Sequence, residues 1–355
     1  MKVLSVVGAR PQFIKLAPIA HAMVGRAEHV VVHTGQHYDE LMSDVFFRDL
    51  GIPAPDENLA VGSGKHGAQT AAMLGGLEEV FEKHRPDCVL VYGDTNSTLA
   101  ATLAAVKMHL PVAHLEAGLR SFNRLMPEEH NRVLTDHAAD LLLAPTQVAA
   151  DHLRTEGLEA RTVVVGDVMT DVLLQTRAKA SELPIPAGVI DGDYYVATIH
   201  RPANTDDPIH LRGIVDGLAA LDRTVLLLAH PRLVKHAADH GIDLSTGDID
   251  VRPPLSYPQL VRAVDRAAGV ITDSGGLQKE AFLLRTPATT VRPETEWVET
   301  VELGWNVLVP PAAESISAAV GRPRPAETSL SPYGDGEAAS RVVDALLDRR
   351  WTAAS

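Results

Sequence analysis

Residues 114–132, HLEAGLRSFNRLMPEEHNR, place three carboxylates in one short stretch: Glu116 directly after an apolar run, and Glu128 and Glu129 behind Pro127. Side chains of this kind move protons. Pro127 suits the first turn of a helix, where its missing N–H has no intrahelical partner. Glu128 and Glu129 would also favour that helix's dipole. Dipole compensation does not explain Glu116, which belongs to a strand end. Asp94, in VYGDTNST, ends another apolar run and adds a fourth acid, although by itself it would also serve as a helix cap. Crowded carboxylates near a bound anion are expected to raise one another's proton affinity, which suits acid and base work near neutral pH.

Cations appear at other strand ends. GARPQFIK puts Arg10 and Lys15 around a helix start after the first apolar run. TDSGGLQKEA follows an apolar run with Asp273, Ser274, Gly275 and Gly276, whose bare backbone N–H groups could cradle a phosphate. TIHRPAN ends another with His200 and Arg201. Together these read as a diphosphate site served by two sheets.

The elements that must position these groups alternate. In the first half, strands are expected at 3–7, 30–33, 88–92, 112–115, 141–144 and 162–165, with helices at 13–23, 38–50, 68–84, 97–109 and 147–155. Alternation stops between Asp171 and Asp193, then resumes with strands at 195–199, 225–229, 270–272, 288–291 and 306–308 and a last helix at 338–349. The expected fold is α/β: two Rossmann-like doubly wound domains facing across a cleft, the GT-B arrangement. The expected boundaries are 1–170, a linker at 171–193, a second domain at 194–335, and a tail at 336–355 that packs back on the first domain. In such sheets ligands bind outside the carboxyl ends of the strands.

Composition narrows the classes. The chain has 355 residues, too many for one ordinary core, with 45% hydrophobic and 22% charged residues. A net charge of -14 argues against partners held by bulk electrostatics, nucleic acid or anionic membrane. The single cysteine, Cys88, lies in an apolar run and excludes an intrachain disulfide, so a cytoplasmic protein is expected. No apolar segment approaches membrane-spanning length. Residues 61–66, VGSGKH, lack the Walker spacing, no GxGxxG follows a strand, and the pair His236 and His240 has no nearby ligands. Neither a metal nor a nicotinamide cofactor is expected.

These residues resemble the non-hydrolysing UDP-N-acetylglucosamine 2-epimerases nearly end to end, through GARPQFIK, TGQHYDELM, GDTNSTLA, HLEAGLRS, MPEEHNR, IHRPAN, TDSGGLQKEA, RPETEWVE and PYGDG. The resemblance implies a GT-B homodimer that binds a UDP-sugar without metal or nicotinamide. C2 would be inverted by elimination of UDP to a 2-acetamidoglucal, followed by re-addition. It implies Asp94, Glu116 and Glu128 as acids and bases, and His200 as the group that stabilises departing UDP. Arg10, Lys15, Ser274, Gly275, Gly276 and Glu280 would bind the nucleotide, and Gln36, His37 and Gln69 a second, activating site. Departures are Gln12 for a glutamate, Pro202 and Ala203 beside His200, Asp167 for an asparagine and Val298 for a proline. They imply retained catalysis with altered activation. A GT-B glycosyltransferase, a hydrolysing 2-epimerase that releases N-acetylmannosamine and UDP, and a non-catalytic nucleotide-sugar sensor are the alternative readings.

Overall fold

Continuous runs such as CVLVY have no polar face to turn to water, so they form strands covered on both sides, the condition met in parallel sheets. In the computed structural model, which describes residues 1–36, 54–349 and 351, they form two such sheets. The first holds β1 (Lys2–Val7), β2 (Glu28–His33), β3 (Glu57–Asn58), β4 (Cys88–Tyr92), β5 (Val112–Leu115), β6 (Leu141–Ala144) and β7 (Thr162–Val164), in the order β3-β2-β1-β4-β5-β6-β7. The second holds β8 (Tyr194–Thr198), β9 (Thr224–Leu228), β10 (Ile249–Arg252), β11 (Gly269–Thr272), β12 (Ala288–Val291) and β13 (Asn306–Val309), in the order β10-β9-β8-β11-β12-β13. Every strand pair is parallel. Winding reverses between β1 and β4 in the first sheet and between β8 and β11 in the second. These are the switch points at which open sheets of this kind leave a crevice.

Two units result, Met1–Val172 with Ser331–Ser355, and Leu173–Leu330. The fold class is α/β, two doubly wound Rossmann-like units of the GT-B type. Two strands have no counterpart in the sequence reading: Glu57–Asn58 and Ile249–Arg252. Both are sheet edges, and their polar sequences carry no apolar run to reveal them. The helix expected at 38–50 lies outside the described residues. The stretch expected as a linker begins instead inside the helix Val168–Ala180. Its apolar positions, Val168 in the first core and Leu173 and Ala180 in the second, keep it helical.

The helix Ala338–Asp348 lies on the helix Arg10–Met23. Its Val342, Val343 and Leu346 are buried with Phe13, Leu16 and Ile19. Buried Asp171 accepts the first N–H groups of this segment, from Ala338 at 3.1 Å and Ala339 at 2.7 Å. Among the described residues no helix is long and apolar enough to cross a membrane.

Beneath the first sheet, the Ser5 hydroxyl lies 2.8 Å from His29 Nε2 and 2.8 Å from the Tyr92 hydroxyl. Burial, opposed only by Asp56, pushes His29 down to about 4. The unfolded chain takes up that proton near 6.5, so the stabilisation is present above 6.5 and is lost as pH falls toward about 4. The chain is expected to lose about 2 kcal/mol from this group between pH 7 and pH 5. His29→Phe should lose correspondingly less across that interval in urea denaturation. Parallel losses in the two proteins would refute the assignment.

Candidate active site

Three neighbouring strands of the first sheet end in chemistry. β1 runs into Gly8, Ala9 and the helix Arg10–Met23; β4 into Gly93, Asp94 and the helix Asn96–Lys107; β5 into Glu116. Gln12 ties the first two ends together. Its Oε1 accepts from the N–H of Gly8 (2.8 Å) and Ala9 (3.0 Å), and its Nε2 donates to the Tyr92 carbonyl at 2.7 Å. An ionised glutamate could not make that donation.

Glu116 adopts left-handed backbone, φ +74, and ion-pairs with Lys15 from the first helix. The two side chains are 13% and 12% exposed, so the pair is accessible to a ligand yet largely removed from water. Gly93, at φ +60, makes room: a Cβ there would lie 3.1 Å from Glu116 Oε2 and 3.4 Å from Lys15 Nζ. Burial alone would lower the Lys15 pKa. The Glu116 charge and hydrogen bond, with Asp94 and Asp167 behind them, leave it raised.

Asp94 is not the helix cap, since Thr95 takes that role and accepts from Thr98 N–H. Arg132 instead reaches Asp94 Oδ2 at 2.7 Å and Glu129 Oε2 at 2.8 Å. Glu129 also accepts from the N–H groups of Ser121 and Phe122. Burial pushes the Glu129 pKa up, but these backbone donors and Arg132 outweigh it and the net shift is downward. Here the expectation that crowded acids raise one another's proton affinity fails, because a cation and two amides face Glu129. Glu128, half-buried in the same helical turn, makes no ion pair among the described residues.

Behind these strand ends lies a buried network. His114 Nδ1 is 2.6 Å from Asp136 Oδ1, and its Nε2 is 2.7 Å from the Gly93 carbonyl. Both neighbours are acceptors, so the ring is held between them from its two nitrogens. Asp136 also takes Arg120 Nη1 at 2.7 Å and Gly118 N–H at 3.1 Å. Burial would raise the Asp136 pKa, but His114 and Arg120 together hold it below the ordinary carboxylate value.

In the second unit, β8 delivers His200 and β11 delivers Asp273 and Ser274 to adjacent strand ends. Asp273, fully buried, accepts from His200 N–H (3.0 Å), Arg201 N–H (2.9 Å) and Asn204 Nδ2 (3.0 Å), and lies 3.1 Å from His200 Nδ1. Desolvation acts against it, yet these donors leave its pKa lowered. The His200 ring is thereby oriented, with Nε2 remaining for a ligand. Ser274 caps the helix Gly275–Leu283 by accepting from Leu277 N–H, and Gly276 has open space around it. A Cβ at Gly275 would lie 2.4 Å from Glu296 Oε1, so a side chain there would have to displace that carboxylate from its place beside Arg292. Buried Arg292 pairs with Glu296 at 3.0 Å and leaves Nη1 without a hydrogen-bond partner among the described residues. Glu280 accepts from the Tyr257 hydroxyl at 3.0 Å.

The first sheet therefore brings Lys15 together with Glu116, and links Asp94 through Arg132 to the helix that bears Glu128. The second sheet gathers His200, Ser274, Gly275 and Gly276 around one switch point. Arg10 opens the first helix, but its side chain, like His37, lies outside the described residues. Gln69 donates to the carbonyls of Gly62 and Gln36 and accepts from Asn96, while Gln36 accepts from Ser97. Both glutamines brace the loop that follows β2. Sequence reasoning missed Arg132, Arg292, Asn204 and the His114–Asp136–Arg120 network. Their motifs were visible, but their pairing spans gaps that only the fold closes.

A sequence model of the family described as UDP-N-acetylglucosamine 2-epimerase matches residues 21–347. A UDP-2,3-diacetamido-2,3-dideoxy-D-glucuronate 2-epimerase of Pseudomonas aeruginosa is 46% identical, with 98% of this chain and 99% of that protein covered. A UDP-N-acetylglucosamine 2-epimerase of Methanocaldococcus jannaschii is 40% identical with the same two coverages. Among solved structures, the Methanocaldococcus jannaschii UDP-GlcNAc 2-epimerase in complex with UDP-GlcNAc and UDP has a TM-score of 0.83 at 39% identity, covering 98% of this chain and 99% of that one. The Neisseria meningitidis enzyme bound to UDP-GlcNAc also has a TM-score of 0.83, at 29% identity and coverages of 98% and 100%.

Proposed function

Because the chain belongs to the UDP-N-acetylglucosamine 2-epimerase family, we propose that it inverts C2 of a UDP-linked 2-acetamido sugar, UDP-N-acetylglucosamine in the first instance, without net hydrolysis. A carboxylate takes the C2 proton, the C–H electron pair becomes a C1–C2 double bond, and UDP departs with the C1–O pair. The 2-acetamidoglucal then receives a proton on its opposite face as UDP returns to C1. Two faces require more than one proton-handling group, and Asp94, Glu116 and Glu128 are the three assigned.

The observation that carries this reading is the Lys15–Glu116 pair, one strand from Asp94, in a chain matched almost end to end by epimerases. Lys15 holds Glu116 in place in a site largely removed from water, where a carboxylate could act as a base. In the second unit, Ser274, Gly275, Gly276 and Glu280 are assigned to the nucleotide and His200 to the departing diphosphate, with Arg10 and Lys15 contributing from the first unit. These donors would act on charge that grows as the C1–O bond breaks. Gln36, His37 and Gln69 are assigned to a second nucleotide-sugar site whose activation is altered by Pro202 and Ala203; calorimetry that finds ordinary substrate activation would count against this. A homodimer acting in the cytoplasm completes the proposal, the lone buried Cys88 being compatible with a reducing compartment.

One observation favours a second substrate. The Pseudomonas aeruginosa relative, at 46% identity, is named for a diacetamido glucuronate. The chemistry at C2 is the same, and only substituents at C3 and C6 differ. Incubation with each nucleotide sugar in deuterated water, followed by proton NMR, separates these readings. C2-inverted product carrying deuterium at C2, without net UDP release, is expected from the true substrate. UDP accumulating with a free sugar would replace this reading by the hydrolysing reaction.

A further inference from the structure

Asn131 and Arg132 close the acid-bearing stretch and have no part in the reaction as assigned, yet both reach back to Asp94. They sit on the helix Pro127–Ala138. Buried Asn131 donates from Nδ2 to the Asp94 carbonyl at 2.9 Å. His114 Nε2 lies 2.7 Å from the carbonyl of the preceding residue, Gly93. Arg132 takes the side chain, with Nε and Nη2 at 2.9 and 2.7 Å from the same atom, Asp94 Oδ2. Two successive carbonyls and one carboxylate oxygen are thereby held. Asp94 Oδ1 has no hydrogen-bond partner among the described residues.

The arginine is itself fixed. Its Nη1 donates to Glu129 Oε2 at 2.8 Å, and Glu129 is pinned in turn by the N–H groups of Ser121 and Phe122, both at 2.9 Å, and by the Ser121 hydroxyl at 3.0 Å. The Glu129 and Arg132 side chains are 6% and 15% exposed, against 31% for Asp94. The clamp is drawn back from water and the clamped acid is not. A planar fork that spends one edge on one carboxylate and its remaining nitrogen on another fixes the angle between them, which a point charge on a flexible stem does not. The pair with Glu129, three residues away on one helix, would serve stability alone. Two donors on a single oxygen of Asp94 aim that carboxylate.

We propose that Arg132 is a positioning residue for proton transfer at C2: by occupying Oδ2 of Asp94 it presents Oδ1 as the oxygen that exchanges a proton with the sugar. The inference rests on the epimerase reading, with Asp94 among its acids and bases. In the direction in which Asp94 is the base, Oδ1 gains the O–H bond as the C2–H bond breaks. The C–H pair becomes the C1–C2 double bond, and UDP leaves with the C1–O pair. In the reverse direction the same oxygen returns the proton. Arg132 transfers nothing. Misplacing such a group by about 1 Å costs on the order of 10²-fold in rate, so loss of the clamp is felt in kcat rather than in binding.

The test is a double-mutant cycle on the full chain, read by C2 deuterium incorporation into whichever of the two nucleotide sugars the parent turns over, with UDP binding measured by calorimetry on each preparation. Arg132→Gln is expected to lower kcat about 10²-fold while UDP affinity changes only a few-fold. Combined with Asp94→Asn it should be no slower than Asp94→Asn alone, since an acid that is gone needs no aiming. Arg132→Lys keeps the charge beside Glu129 and serves where the glutamine variant does not fold; without the fork it should still fall below the parent. Parent-like kcat in these variants, a loss of UDP affinity equal to the loss of rate, or a second loss in the Asp94→Asn background as large as the first overturns the proposal. Where Asp94→Asn is too slow to follow, guanidinium chloride added to Arg132→Ala decides: recovery of kcat by about tenfold supports the clamp, and no recovery overturns it. A parent that incorporates no deuterium from either sugar fails the epimerase reading, and this inference falls with it. An active parent with additive losses fails this inference alone.

Discussion

Glu116→Gln is expected to lower kcat for C2 inversion by about 10³-fold while the affinity for UDP changes only a few-fold. Glutamine keeps the size of the side chain at a left-handed backbone position and removes its ability to accept a proton. A positioned acid or base contributes on the order of 10²–10⁴ in rate. Lys15 keeps Asp94 and Asp167 as electrostatic partners but loses the Glu116 charge that chiefly opposes its burial. The measurements are C2 deuterium incorporation and UDP binding by calorimetry on the same preparation. A loss of kcat below tenfold would remove Glu116 from proton transfer. Equal losses in rate and in UDP affinity would make it a binding residue.

Asp136→Ala carries the largest expected loss of stability, about 3–5 kcal/mol, because it removes the buried acceptor shared by His114 and Arg120 and leaves His114 Nδ1 and Arg120 Nη1 without it, although Arg120 keeps Glu156. Asp136→Asn, which retains one acceptor oxygen, should cost less. The ionised carboxylate's contribution is present above its ordinary value of 3.8 and is lost as pH falls through its lower folded-state value. Both variants should therefore show a shallower acid limb below pH 3.8, read by urea denaturation at successive pH values. The substitution should also be felt in catalysis, since His114 anchors the Gly93 carbonyl next to Asp94. An unchanged denaturation midpoint in Asp136→Ala would dismiss the network as a source of stability.

Much of this arrangement can be read from local sequence. Interior strands such as Cys88–Tyr92 declare themselves because both faces must be apolar, and the residues after them, Asp94, Glu116, His200 and Ser274, fall at strand ends by counting. The edges Glu57–Asn58 and Ile249–Arg252 do not declare themselves, since half of each edge pairs with nothing. Electrostatics was the least legible level. Four acids in two motifs suggested mutual repulsion, yet Arg132, 38 positions after Asp94, changes the balance. His114 and Asp136 are likewise 22 positions apart, and their contact follows from strand and helix packing rather than from any motif.

The return of residues 331–348 to the first unit imposes an order on synthesis. The apolar face of the helix Arg10–Met23 is covered by Val342, Val343 and Leu346. At roughly 5–20 residues per second, those partners leave the ribosome roughly 15–60 s after it does. The second unit, Leu173–Leu330, is continuous and waits for nothing downstream. The half that is made first is therefore finished last, and throughout that interval the nascent chain presents the flank of its first helix to whatever binds exposed apolar surface.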